Sequence, residues 1–304
     1  MNDVVLCGIQ EQGIEIALYL KSKGISISYI VTISESLAQK NKASGWVSYE
    51  SFSKEHGIPL YYAKSYSFNS EEDQLFFAKN GFNLMILGGW QRLIGASVIS
   101  TLKYGCIGQH GSSEFLPKGR GRSPLNWSLI MGRKRLVWNL FLITPGIDDG
   151  DIIDYMIFEI NEWDDCKTMY YKVAVAVKQM LARTIPRVLR NEIESLKQIG
   201  EPSYYLKRMP EDGKIDWSKS VFEIYNLIRA VTHPYPGAFA QVGNEKVMIW
   251  KAQPWDTHIS YYGASNGEIV EVFNGGDYVV NCCDGLLLIT LSDDKDLKVG
   301  KCYF

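Results

Sequence analysis

Short apolar runs alternate with helical stretches from the start of the chain, and this alternation restricts the fold more than any other feature. Residues 3–7 read as a short buried strand, Gly8 and Gly13 follow, and a helix runs through Ile14, Ala17, Leu18 and Leu20 to Lys23-Gly24. Residues 25–32 are β-branched and partly alternating, which makes a second strand. Two strands separated by a helix open a parallel sheet, because parallel neighbours need a crossover between them. The pattern continues with a helix ending at His56, a strand over 57–61, a helix near 71–80, and the apolar Leu84-Met85-Ile86-Leu87 before Gly88-Gly89-Trp90. A further short strand, Cys106-Ile107, is expected to end in Gly108-Gln109-His110. Residues 137–144 form a strand that runs into the turn Pro145-Gly146. The expected fold class is α/β with a mostly parallel sheet. Ligands of such sheets sit outside the carboxyl ends of the strands, so segments 88–93, 108–113 and 145–151 are expected to converge on one crevice.

Two function classes lose support early. The Gly8 to Gly13 spacing is not the GxGxxG of a dinucleotide site, and Val31-Thr32-Ile33-Ser34 ends the second strand without an acid, so a nicotinamide-dependent oxidoreductase is disfavoured. Lys and Arg number 32 against 34 Asp and Glu, a net charge of −2 with an isoelectric point near 6.1, which argues against a nucleic-acid partner. An acid stands at Asp3 where a signal peptide would carry positive charge, and no apolar run approaches the roughly 18 residues of a membrane span. A soluble, cytoplasmic protein is therefore expected. The six cysteines form no CxxC pair, which predicts free, mostly buried thiols and no metal site, with one of the adjacent Cys282 and Cys283 facing a core.

The 304 residues suffice for two domains at about 100–200 residues each. A long helical pattern begins at an Asp164 N-cap and passes Met169, Val173, Val177 and Met180, and Pro186 is expected to kink or interrupt it. Polar residues 198–203 read as a linker. Beyond them a helix over 220–230 precedes short strands at 239–242, 246–251, 268–273, 277–282 and 286–291, the texture of a small β-barrel or sandwich. Domains of 1–200 and 201–304 follow.

Among the four histidines, His110 is placed at an expected strand end among Gly and Ser residues. The turn Gly119-Arg120-Gly121-Arg122 offers cationic forks for an anion, and the run Asp148-Asp149-Gly150-Asp151 offers a carboxylate able to orient an imidazole. The segment His110-Gly111-Ser112-Ser113-Glu114-Phe115-Leu116-Pro117-Lys118-Gly119-Arg120-Gly121-Arg122-Ser123-Pro124-Leu125-Asn126-Trp127 resembles the signature of the folate-dependent formyltransferases, which reads H, P or G, then S-L-L-P-x-Y-R-G-x-x-P-x-x-W. Asp148-Asp149-Gly150 matches that family's D-x-G, and Gly89-Trp90-Gln91-Arg92-Leu93-Ile94 looks like the G-W-x-x-x-I loop of the branch that formylates amino sugars. Arg208-Met209-Pro210-Glu211-Asp212 through Ile215-Asp216-Trp217 is similar to the family's R-x-P-x-D-x-x-I-x-W. Ile228-Arg229-Ala230 through Pro234-Tyr235-Pro236-Gly237-Ala238 is similar to its I-R-A-x-x-x-P-Y-P-G-A. These motifs span most of residues 1–255.

The resemblance implies a Rossmann-like domain that binds 10-formyltetrahydrofolate as cosubstrate, an OB-like carboxyl-terminal domain, and attack of a primary amine on the formyl carbonyl. The family uses an Asn-x-His pair and the D-x-G aspartate. His110 matches the histidine that handles protons and Asp148 the aspartate that orients it. At the asparagine position stands Gly108, and the S-L-L-P is one residue longer here. An oxyanion donor is typically worth about 100- to 1000-fold in turnover, so three readings stay open: Gln109, Asn126 or Asn139 takes over; water or backbone N–H groups serve; or the chain binds its ligands and turns over poorly. By the same resemblance, folate falls to Gly88, Gly89, Trp90, Arg92, Leu93, Gly146 and Ile147, and an anionic substrate to Ser112, Lys118, Arg120, Gly121 and Arg122. The family's acceptors are methionyl-tRNA and nucleotide-linked deoxyamino sugars. The methionyl-tRNA enzymes carry a basic loop after the second strand, whereas residues 34–50 hold only Lys40 and Lys42 as cations, which favours the sugar. A homodimer is compatible with the sugar branch. Trp127, Trp217 and Trp250 read as packing residues, and Tyr204 and Tyr205 lie where a nucleobase could stack.

Overall fold

The computed structural model describes residues 3–304. Its first elements are β1 (Val4–Gly8), α1 (Glu11–Ser22), β2 (Tyr29–Ile33), α2 (Glu35–Lys40), α3 (Glu50–His56), β3 (Leu60–Ala63), α4 (Glu71–Asn80), β4 (Leu84–Gly88), α5 (Ala96–Ile99) and β5 (Cys106–Ser112). There follow β6 (Arg120–Gly121), α6 (Pro124–Ile130), β7 (Arg135–Leu142), β8 (Ile152–Glu159), α7 (Cys166–Leu189) and β9 (Tyr204–Tyr205). After them come α8 (Val221–Val231), β10 (Ala238–Val242), β11 (Glu245–Asp256), β12 (Ile269–Val272), β13 (Tyr278–Cys282) and β14 (Gly285–Ser292).

Seven strands form one sheet in the order β3-β2-β1-β4-β5-β7-β8, parallel from β3 to β5 and antiparallel between β5 and β7. The mostly parallel, Rossmann-like sheet read from the sequence is therefore present. β1 is buried along its whole length, as a central strand covered on both faces must be. α1 buries Gly13, Ile16, Ala17 and Leu20, one stripe at helical spacing. The Gly8 and Gly13 pair has a packing cause: a Cβ on Gly13 would stand 2.1 Å from the Tyr49 hydroxyl and one on Gly8 2.5 Å from it. That hydroxyl donates to the Gln10 carbonyl at 2.5 Å, so the glycines make room for a tyrosine that ties down the strand-to-helix turn.

Two local expectations are corrected, and the one for Pro186 is narrowed because the helix is not interrupted there. β5 does not stop at Ile107 but runs to Ser112, because β7 supplies an antiparallel partner through the Ser112–Val137 pair. His110 is thus inside a strand, not on a loop. Pro186 lies within α7 without ending it, and Arg190 N–H still donates to the Pro186 carbonyl. The α7 amino terminus is capped by Asp165, whose carboxylate accepts from Thr168 N–H at 2.8 Å. Asp164 instead accepts from Asn161 N–H, the Thr168 hydroxyl and the Lys172 ammonium.

The chain falls into two compact units: 3–120 with 137–157 and 173–203, and 121–136 with 158–172 and 204–304. In the second, a five-stranded antiparallel sheet runs β10-β11-β14-β13-β12. Ser220 and Glu223 form a reciprocal capping box at the start of α8. Cys7, Cys106, Cys166 and Cys282 are buried free thiols, while Cys283 is exposed.

Candidate active site

β5 and β7 position the central group. Directly paired residues of an antiparallel ladder present their side chains on one face, and His110 pairs with Asn139. The His110 side chain is 8% exposed. Its Nδ1 faces Asp148 Oδ2 at 3.5 Å and its Nε2 lies 2.8 Å from the Gly119 carbonyl oxygen. Each ring nitrogen meets an oxygen acceptor, and a neutral imidazole has a hydrogen for only one of them.

The turn that carries Asp148 is closely specified. Asp148 adopts φ +49°, a left-handed conformation uncommon outside glycine. Gly146 N–H donates to Thr144 Oγ1 at 3.2 Å, and the Thr144 hydroxyl donates to Asp149. A Cβ on Gly150 would fall 1.6 Å from the Leu142 carbonyl oxygen, so the glycine of the Asp-Asp-Gly run is required by close backbone approach.

A residue from the expected linker completes this arrangement. Gln198 Nε2 donates to the carbonyls of Asp148 and Gly150, both at 2.8 Å, and Gln198 Oε1 accepts from Arg120 Nε at 3.1 Å and Nη2 at 2.7 Å. Ser203 accepts from Gly119 N–H through its Oγ and from Arg120 N–H through its carbonyl, at 2.9 Å each. Nothing in the polar stretch 198–203 distinguishes these residues by sequence alone.

The open question at position 108 has a structural answer in part. A Cβ on Gly108 would stand 2.3 Å from Ile143 Cδ1 and 2.9 Å from its Cγ1, so Ile143 fills the room an asparagine would use. Gln109 points to the opposite face, where its Oε1 accepts from Trp138 Nε1 and its Nε2 donates to the Leu87 carbonyl. Asn126 belongs to the second unit and donates to the Ala230 carbonyl at 2.6 Å. Asn139 is fully buried on the His110 face; its Nδ2 makes long contacts of 3.3 and 3.4 Å to the His110 and Val137 carbonyls, and its Oδ1 has no partner.

The remaining sequence candidates are dispersed. Trp90 is buried, stacked on Phe68 at 4.6 Å and edge-on to Tyr66 at 4.9 Å, and its indole N–H has no partner. Arg92 lies over the Tyr66 ring and donates to the Asn41 carbonyl, and Gly89 (φ +83°) abuts Gln10, so this loop is anchored on the side of residues 41–44 and 66–68. The His110–Asp148 contact joins 108–113 with 145–151, whereas the 88–93 loop makes its contacts with Gln10, residues 41–44 and residues 66–68; the Gln109 bond reaches only Leu87, within β4. Leu93 and Ile147 are exposed apolar side chains, and Gly88 packs on Gly13. Ser112 is buried and accepts from Glu114 N–H, and Lys118 is half-buried. Gly121 and Arg122 belong to the second unit, where Arg122 N–H donates to the Tyr205 carbonyl and Trp127 stacks on Tyr205. Among the described residues no group of three or more His, Cys, Asp or Glu side chains is gathered to hold a metal ion.

Comparison with known proteins gives this geometry its class. Residues 4–185 match the formyl transferase family and residues 207–299 match the formyl transferase C-terminal domain, so the chain belongs to the formyl transferase family. It is 37% identical over 202 residues to the bifunctional polymyxin resistance protein ArnA of Wigglesworthia glossinidia brevipalpis, a match covering 66% of this chain and only 30% of that protein. Among solved structures it is similar to the N-formyltransferase from Helicobacter canadensis in complex with folinic acid and dTDP-3-aminofucose, with TM-score 0.70, 19% identity, and 96% of this chain and all of that one covered. It is also similar to WlaRD, a sugar 3N-formyl transferase, with TM-score 0.68, 20% identity, and 97% and 99% of the two chains covered. At such identities these two likenesses concern the fold.

Proposed function

We propose that the chain is an N-formyltransferase that moves the formyl group of 10-formyltetrahydrofolate to the primary amine of a nucleotide-linked deoxyamino sugar. The observation that carries this reading is the pairing at 3.5 Å of His110 in β5 with Asp148 in the turn after β7, in a chain of the formyl transferase family. The neighbours' names add support for the acceptor, since one is held with folinic acid and a dTDP-amino sugar.

Formyl transfer needs a neutral amine and a group that takes up its proton after attack. Asp148 holds the imidazole through Nδ1 and leaves Nε2 for that exchange. Nε2 now lies on the Gly119 carbonyl, so substrate must displace this contact for the proton to pass. The folate supplies the formyl carbon and the departing nitrogen. We assign its ring to the loop 88–93 and the turn 146–147, where Leu93 and Ile147 expose apolar surface suited to a flat heterocycle. Lys118 is assigned to the diphosphate. A 1–200 catalytic domain, an OB-like domain over 201–304 and a cytoplasmic location belong to the same reading.

His110→Ala tests it: turnover with 10-formyltetrahydrofolate and an amino sugar nucleotide is expected to fall by about 100-fold or more, with folate affinity retained. Unchanged turnover removes His110 from the mechanism.

A further inference from the structure

We infer that Gln198 is a positioning residue for the His110–Asp148 pair, acting through the backbone of the Asp148 turn and through Arg120; the inference rests on the function proposed above. A side-chain amide offers two donors and two acceptor lone pairs, and Gln198 uses all four. Its Nε2 holds the carbonyls of Asp148 and Gly150, and its Oε1 takes two N–H groups of Arg120. The two carbonyls flank Asp149 in a turn whose first residue has φ +49°, a conformation that persists only when its surroundings fix it. Arg120 follows Gly119, whose carbonyl meets His110 Nε2. One amide thus ties together the loops that face the two nitrogens of the imidazole. It comes from a segment that also pairs with Ile152 through Leu196 and holds Gly119 and Arg120 through Ser203.

Gln198→Glu separates the two halves of this role. A carboxylate still accepts from Arg120 but sets an acceptor against the two carbonyls. Gln198→Ala loses both halves. Both variants are expected to lower kcat by about 100-fold, the scale of a misplacement near 1 Å, with KM for the folate changed less than about threefold and the thermal midpoint retained. They are also expected to displace the ring 15N resonances of His110, assigned by their loss in His110→Gln. A Gln198→Glu enzyme with wild-type kcat and unmoved His110 resonances overturns the inference. The NMR readout needs no substrate. If the unmodified protein transfers no formyl group and the resonances still move, the proposed function fails and the positioning role stands. If the unmodified protein is active and neither readout changes, the positioning role fails alone.

Discussion

Gly108 and Ile143 share a space that holds only one side chain. Gly108 lies in β5 and Ile143 is the first residue after β7, its N–H donating to the Cys106 carbonyl, and a Cβ at 108 would meet both Ile143 Cδ1 and Cγ1, with Phe141 Cζ at 3.3 Å. Gly108→Asn is therefore expected to destabilise the protein by about 1–3 kcal/mol through overpacking. Ile143→Ala in the same chain removes both offending atoms, so the double variant is expected to be more stable than the sum of the two single changes predicts. Urea unfolding of the four proteins checks this, and strict additivity would mean that the two sites do not share the space. His110 and Asp148 were legible because a motif fixes residue type and spacing. Gln198 was not, because its role depends on where a polar segment returns in space, and a Gln among Lys, Ser and Glu residues carries no local signal of that return.

Among the elements, those that gain partners from distant sequence depart most from the sequence reading. β5 looks like a two-residue strand because Gly108, Gly111 and a histidine interrupt its apolar run, yet β7 pairs with it as far as Ser112 and the extension seats His110. The strands β1, β2 and β4 were legible because burial on both sheet faces demands continuous apolar runs there. α7 shows the opposite override. Pro186 lacks an N–H, so the carbonyl four residues earlier at Ala182 has no helical donor, and the helix continues because Ile185, Val188 and Leu181 are buried around it. Pro186→Ala restores that bond and is expected to stabilise the protein. The gain should be about 1 kcal/mol, below the ~3 kcal/mol cost of an interior proline, because alanine also frees the unfolded chain. A denaturation midpoint that falls on this change would show that the proline ring packs better than the bond it displaces.

At the scale of the molecule, charge is the property on which the proposed acceptor can be tested. The chain carries −2 overall, and residues 34–50, which include α2, hold Lys40 and Lys42 against Glu35 and Glu50. A tRNA contact is assembled from cations on phosphates, and each such contact is lost as counterions return with rising salt. A nucleotide sugar needs only enough cations for one diphosphate, so its binding has a shallow salt dependence and draws on pocket shape and hydrogen bonds. Calorimetry with dTDP-, UDP- and GDP-linked amino sugars, each with and without a folate analogue, is therefore expected to show saturable binding of at least one nucleotide sugar. Any retention of initiator methionyl-tRNA should have the strength of non-specific binding, a Kd of about 10⁻⁴–10⁻⁶ M, weakening steeply toward 200 mM salt. Product detection completes the test: a formylated sugar identifies the acceptor class, whereas formylated methionyl-tRNA made with the higher kcat/KM would show that local cation placement outweighs the near-neutral total.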